Sequence, residues 1–171
     1  MIRRAEFRDI DTIMCIVGDA QAALRELGID QWQDGYPSIA VIKKDIDNGV
    51  GYVSVQNGSV VGYAAILLTG EVAYKQIADN EWGTGEDYVV VHRRCVKNIA
   101  KRNGIALSLM KKAKELAMEV GYSGFRIDTH RGNIRMLRMM DKLGFKYRGI
   151  IYYESGERLA YDLKFSKSLV L

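Results

Sequence analysis

Two cysteines, Cys15 and Cys95, are the only ones in this chain of 171 residues, and they match neither a CxxC pair nor a Cys/His metal spacing. A disulfide framework and a thiolate metal site are therefore not indicated, and both cysteines read as small core residues. No stretch of about 18 uncharged apolar residues occurs, and the N-terminal MIRRAEFRDID has no apolar segment behind its charges, so export and membrane spanning are not supported. The expectation is a soluble, cytoplasmic protein. No repeat, low-complexity tract or linker interrupts the chain, which reads as one domain over 1–171. No Ser-His-Asp or Cys-His arrangement is visible, so a covalent protein nucleophile is not indicated and Cys95 reads as strand packing. Neither sign of charge dominates: 25 Lys+Arg against 21 Asp+Glu gives a formal +4. That mild excess suits an anionic ligand, RNA, or nothing in particular.

Hydrophobic residues make up 48% of the chain, enough for a core without disulfides or metals. From Asp9, the apolar residues Ile10, Ile13, Met14, Val17, Ala20, Leu24 and Leu27 recur at helical spacing, and Gly28 stands where a helix-ending glycine belongs. Residues 29–37 mix turn formers with Trp32 and Tyr36 and read as a loop; Ser38 can then cap a second helix through about Asn48. Gly51 to Gln56 and Ser59 to Leu68 read as two strands around the hairpin signal Asn57-Gly58. Residues 70 to 86 are polar and lack periodicity. Beyond them come a strand from Tyr88 to Val96, a helix marked by Ala106, Leu109, Met110, Ala113, Leu116, Ala117 and Val120, and a strand from Gly124 to Thr129. A helix from Asn133 to Leu143 closes at Gly144, before a hairpin of Phe145 to Tyr153 and Arg158 to Phe165. The order is β-α-α-β-β-β-α-β-α-β-β, an α/β (α+β) pattern.

The densest basic stretch, His92 to Arg102, ends just before a glycine and a long helix rather than lying along one helix face. A helix start presents unpaired N–H groups and a positive dipole end, and glycine lets the backbone approach a ligand closely, so the segment Val96 to Ala106 is suited to a pyrophosphate. An ordinary helix start would look the same on these residues alone.

Lys101-Arg102-Asn103-Gly104-Ile105-Ala106 resembles the acetyl-CoA signature of the GNAT N-acetyltransferase superfamily, in which Arg or Gln is followed three residues later by Gly and five later by Gly or Ala. The segment from Asn133 through Leu143-Gly144-Phe145 resembles that superfamily's Asn-led helix before a strand. The order of elements is also similar, so the resemblance spans nearly the whole chain. It implies the GNAT-type acyl-CoA N-acyltransferase fold: a central mixed, mostly antiparallel sheet of about seven strands flanked by about four helices. It also implies acetyl-CoA as co-substrate, without a metal. The backbone of Arg94, Cys95 and Val96 would pair with the pantetheine arm, with an oxyanion donor near there; the amides of Lys101, Arg102, Asn103, Gly104, Ile105 and Ala106 would cradle the pyrophosphate. Asn133 would contact the cofactor or cap its helix. Lys101 departs from Arg/Gln, giving up the planar fork that Arg102 could supply.

Direct transfer to an amine needs a base, an oxyanion donor and a way for the thiolate to leave. His92 is the general-base candidate, since imidazole titrates near neutrality and the position resembles that of an active-site histidine on the same strand in serotonin N-acetyltransferase. A strand histidine bonded to backbone is the structural alternative, and His130 is a second candidate that could equally stabilise its turn. Many relatives place a leaving-group tyrosine where this chain has Met140, which cannot donate a proton; Tyr147, Tyr152 and Tyr153 are substitutes, with Tyr153 the catalytic candidate retained. Trp32, Gln33, Tyr36 and Glu154 are acceptor-site candidates, and Trp32 and Tyr36 could equally pin their loop to the core. The expected acceptor is a small-molecule amine, with protein N-termini or lysines as the variant. A catalytically silent CoA-binding module is the competing class. An RNA-binding domain lacks RNP-like or KH-like motifs, so no nucleic-acid or membrane partner is expected, while a homodimer through a sheet edge stays open.

Overall fold

A computed structural model describes residues 1–166. In chain order its elements are β1 (Ile2–Arg4), α1 (Ile10–Glu26), α2 (Ile39–Asp47), β2 (Gly51–Gln56), β3 (Ser59–Leu67), β4 (Tyr88–Val96), α3 (Ile105–Glu119), β5 (Gly124–Thr129), α4 (Ile134–Lys142), β6 (Lys146–Tyr153) and β7 (Gly156–Lys164). Short 3-10 turns lie at Phe7–Asp9, Val72–Gln76 and Asn98–Ala100. The strands form one mixed sheet in the order β1-β2-β3-β4-β5-β7-β6. Only β4 and β5 are described as parallel, Tyr88–Val90 facing Gly124–Arg126; the described pairs β1–β2, β2–β3, β5–β7 and β6–β7 are antiparallel.

The chain folds as two compact units, one of Met1–Ile66 with Val91–Lys112, the other of Leu67–Val90 with Ala113 onward. In the first, Ile13 and Val17 of the helical spacing read from sequence are fully buried, Ile16 joins them on the same face, and these pack with Ile42, Val53, Val60, Tyr63 and Cys95. Ser38 caps α2 as its side-chain chemistry predicts, its hydroxyl accepting from the Val41 N–H at 3.4 Å. Asn57 and Gly58 both adopt positive φ, 49° and 76°, the conformation a two-residue hairpin turn needs. At Gly62 of β3, an added Cβ would lie 2.7 Å from Ile105 Cγ2, so this glycine lets the first residue of α3 sit directly on the strand.

The second unit has its own core of Tyr74, Tyr88, Val90, Ile151 and Ala160. Segment 70–86, without periodicity in sequence, is held by individual side chains. Asp162, 1% exposed, accepts from the Gly83 and Thr84 N–H groups (2.6 and 2.9 Å) and from Arg148 Nε (2.7 Å). Arg126 donates to Thr84 Oγ1 and to the Thr84 and Gly85 carbonyls, and its guanidinium lies 4.6 Å from the Trp82 ring centroid and 3.8 Å from that of Tyr88. Gly149 shifts the β6–β7 register and lets Ala78 bridge to Ile150, since an added Cβ would fall 2.2 Å from the Ala78 carbonyl oxygen.

Gly62→Ala should lower stability by about 1–3 kcal/mol through overpacking against Ile105. Urea denaturation checks this, and a change under about 0.5 kcal/mol, the range of a neutral surface substitution, would contradict the packing described.

Candidate active site

The segment singled out in sequence lies in the first unit. β4 ends at Val96, and the Lys97 N–H donates to the Val61 carbonyl at 2.9 Å, keeping the chain on β3 until it turns. The following turn brings Ala100 N–H to the Lys97 carbonyl at 2.9 Å, and the Lys101 ammonium donates to Asn98 Oδ1. Arg102 and Gly104 both take positive φ, 69° and 74°. Open space surrounds the position an added Cβ would occupy at Gly104. Ser108 N–H to the Gly104 carbonyl, 2.9 Å, is an i to i−4 helical bond, so the amides of Ile105, Ala106 and Leu107 precede the helical ladder and have no intrahelical acceptor. Arg102, Asn103 and Gly104 are exposed, whereas Ile105 is anchored in the core. The result is a row of N–H donors beside basic side chains at the start of a 15-residue helix, an arrangement suited to phosphate oxygens.

Upstream on β4, His92 is half-buried and Arg93 has φ of 54°. A left-handed non-glycine residue inside a strand costs roughly 1–3 kcal/mol and persists only where its surroundings determine it. Here they do. Arg93 Nε and Nη2 donate to the two oxygens of Asp45 at 2.8 and 2.7 Å, and Nη1 donates to the Tyr36 hydroxyl at 2.7 Å. Tyr63 completes the cluster, its hydroxyl donating to Asp45 Oδ2 at 2.6 Å. Burial opposes the Arg93 charge, but Tyr36 and Asp45 outweigh it and raise its pKa; burial and then Asp45 raise that of Tyr63. Neither Arg93, Asp45 nor Tyr63 carried a sequence signal as a site residue, because their pairing joins positions 48 and 18 apart on different elements.

The acceptor-loop candidates are also tied down within this unit. Trp32, at φ 67°, packs against the core and meets the Tyr36 ring edge to face at 6.5 Å. Gln33 donates to the Gln21 carbonyl at 2.9 Å and accepts from Arg25 Nε at 2.9 Å, so it braces the loop on α1. Tyr36 keeps 37% of its surface exposed. Next to Arg93 on the strand, burial pulls the Arg94 guanidinium down to about 10 and pushes the Cys95 thiol up to about 12.

The remaining candidates belong to the second unit. Asn133 caps α4, its side chain accepting from the Met136 N–H at 3.3 Å. His130 Nδ1 accepts from the Gly132 N–H at 3.0 Å, which is the turn-stabilising role. Met140 is fully buried. Tyr153 donates to Asp128 Oδ2 at 2.9 Å, the same oxygen that accepts from Tyr74 at 2.8 Å. Burial and then Asp128 raise the pKa of both phenols, which makes Tyr153 a poorer acid than a free tyrosine. Tyr147 and Tyr152 are exposed, as is Glu154 in the β6–β7 turn. Asp128 and Tyr74 had no mark in sequence as members of a site.

Among the described residues, a seven-stranded mixed sheet carries four helices, and the amides at the start of α3 stand beside basic side chains. The sequence profile of the Acetyltransferase (GNAT) family matches residues 19–145, and the chain belongs to this family. Among solved structures, it is similar to a GNAT-family acetyltransferase from Streptococcus agalactiae, with 34% identity, TM-score 0.87 and coverage of 98% of this chain and 96% of that one. A GNAT-family acetyltransferase from Listeria monocytogenes shares the fold at 20% identity and TM-score 0.72, covering 96% of this chain and 94% of that one. So does a ribosomal-protein-alanine N-acetyltransferase from Brucella melitensis, at 17% identity and TM-score 0.68, covering 96% and 99%. No curated protein matches significantly. GNAT acetyltransferases use acetyl-CoA, and the open space at Gly104 with the three amides ahead of the α3 ladder fits its pyrophosphate. Among the described residues, no helix is long and apolar enough to cross a membrane, and no metal-holding group of His, Cys, Asp and Glu occurs.

The two thiols provide a check on Cys95. At pH 8, iodoacetamide should label exposed Cys15 and leave buried Cys95 unmodified in the folded protein, as read by peptide mass spectrometry. The Cys95 pKa is raised on folding, so its contribution to stability is present below its unfolded value and is lost as pH rises towards about 12. Labelling of Cys95 at a rate comparable with Cys15 would contradict this environment.

Proposed function

We propose that this protein is an N-acetyltransferase that acetylates a small amine by direct attack, with acetyl-CoA and the amine bound together. The observation that carries the reading is the start of α3, where a left-handed glycine opens a row of helix-terminal amides flanked by Lys101 and Arg102. Acetyl-CoA, when bound, supplies an acetyl group already activated as a thioester. The amides from Arg102 to Ala106 would hold its pyrophosphate, with the Lys101 N–H donated to the Asn98 carbonyl at 3.3 Å, and the backbone of Arg94, Cys95 and Val96 would hold its pantetheine arm. A backbone N–H near Val96 donates to the oxygen on which negative charge develops. Cys95 takes no covalent part, because its thiol stays protonated at neutral pH.

His92, half-buried on β4, accepts the proton that the amine must lose. Tyr153 shares its proton with Asp128 and Met140 has none to give, so no side-chain acid is assigned to the departing sulfur; a thiol of pKa about 8.5 leaves as thiolate with solvent help. Trp32 and Tyr36 would form an aromatic wall for the acceptor, braced by Gln33.

Purified protein, acetyl-CoA and an amine panel of spermidine, tyramine, L-phenylalanine and an alanine-led peptide test the reading through release of free thiol. Thiol release that depends on one of the three small amines is expected; tight CoA binding with no amine-dependent release would overturn it in favour of a silent CoA-binding module. Within that assay His92→Ala should reduce kcat by about 10²-fold at neutral pH and recover where the amine is already deprotonated. An unchanged kcat across the pH profile would remove His92 from the role.

A further inference from the structure

We infer that Arg93 is the positioning residue of the acceptor site, clamping the aromatic loop 29–37 to the left-handed point of β4 beside His92, an inference that rests on the acetyltransferase reading above. The loop has two anchors of different kinds. Its attachment to α1 runs through Gln21 and Gln33: Gln21 Nε2 donates to the Tyr36 carbonyl at 3.0 Å, and Gln33 Nε2 donates to the Gln21 carbonyl at 2.9 Å. Its attachment to β4 is the bond from Arg93 Nη1 to the Tyr36 hydroxyl, 2.7 Å. On the β4 side the guanidinium is itself held, by a two-point pair with Asp45 in which the Arg93 and Asp45 side chains are only 12% and 7% exposed.

Arg93 therefore couples two features that the chemistry needs together. One is the backbone of β4, held at φ 54° next to His92 and just ahead of the pantetheine-binding residues. The other is the ring of Tyr36, partly exposed and packed edge to face on Trp32. A planar fork fixes direction as well as distance, which a lysine ammonium on a flexible stem does not. With the loop fixed before the amine arrives, binding does not have to order it, so acceptor KM and the reactive alignment both depend on the clamp.

Tyr36→Phe and Arg93→Lys test this without deleting a ring or a charge. The acceptor is the panel amine with the highest wild-type turnover, and CoA itself is the calorimetric probe. Tyr36→Phe should raise acceptor KM about 5- to 10-fold, with CoA affinity within about twofold of wild type. Arg93→Lys should raise KM by at least as much and lower kcat as well. In both variants, amide hydrogen exchange of residues 32–36, measured without amine, should accelerate relative to the rest of the loop's unit. Unchanged KM and unchanged exchange in both variants would overturn the clamp, and so would an equal loss of acceptor affinity, CoA affinity and Tm, which is the pattern of a merely structural residue. If the wild type releases no thiol with any amine, the acetyltransferase reading fails, and the exchange measurement alone decides whether Arg93 holds the loop.

Discussion

The buried pair between Arg93 and Asp45 fixes the backbone of β4 where the first unit's candidate site residues are concentrated. Desolvating a carboxylate and a guanidinium is expensive, and removing one partner from such a pair typically destabilises by about 3–5 kcal/mol because a charge is left buried alone. Here the two-point geometry, the Tyr63 hydroxyl and the Tyr36 hydroxyl supply the compensating hydrogen bonds. The pair also stabilises a backbone conformation that arginine would otherwise avoid. His92 precedes that point on β4, Arg94 to Val96 follow it, and α3 starts after the ensuing turn. Ile105 packs against Gly62, so the first amides of the helix are held by a core contact rather than by the loop itself.

The second unit solves a different problem with similar means. A long segment without regular periodicity is fixed by carboxylates and a guanidinium that each hold several backbone groups: Asp162 takes two N–H groups and Arg148, and Arg126 takes two carbonyls between two aromatic faces. Asp128 joins Tyr74 and Tyr153 through one oxygen. This arrangement changes the chemistry expected of Tyr153. In sequence it was a tyrosine available to protonate a leaving group; in the fold its proton is shared with a carboxylate and its acidity is reduced.

Elements whose signal is local were legible in the sequence. The spacing of Ile10, Ile13 and Val17 gave the buried face of α1, which Ile16 completes, Asn57-Gly58 gave the hairpin, and β4 and β5 have the limits that their runs of β-branched and aromatic residues indicate. The start of α3 was legible as a candidate phosphate site for the same reason, since glycine, basic loop and helix are contiguous. What escaped was long-range polar pairing. Nothing around Asp45 distinguishes it from the other carboxylates of a solvated helix, yet it is buried and pairs with a residue 48 positions away. Arg93 read as one more cation for the ligand, whereas its guanidinium is committed to the protein. The 70–86 segment escaped because side chain to backbone bonds leave no repeat in the sequence. Trp32 and Tyr36 divided between the two readings offered for them: both brace the loop, and Tyr36 still presents a partly exposed ring.

The proposed acetylation requires the start of α3 to receive the phosphates of acetyl-CoA. Backbone amide chemical shifts of the 15N-labelled protein, followed through a titration with acetyl-CoA, report on that contact residue by residue. Large, saturable shifts are predicted for Arg102 through Leu107 and for Val96. Saturation of the protein with those amides unmoved, or with the principal shifts elsewhere, would contradict it.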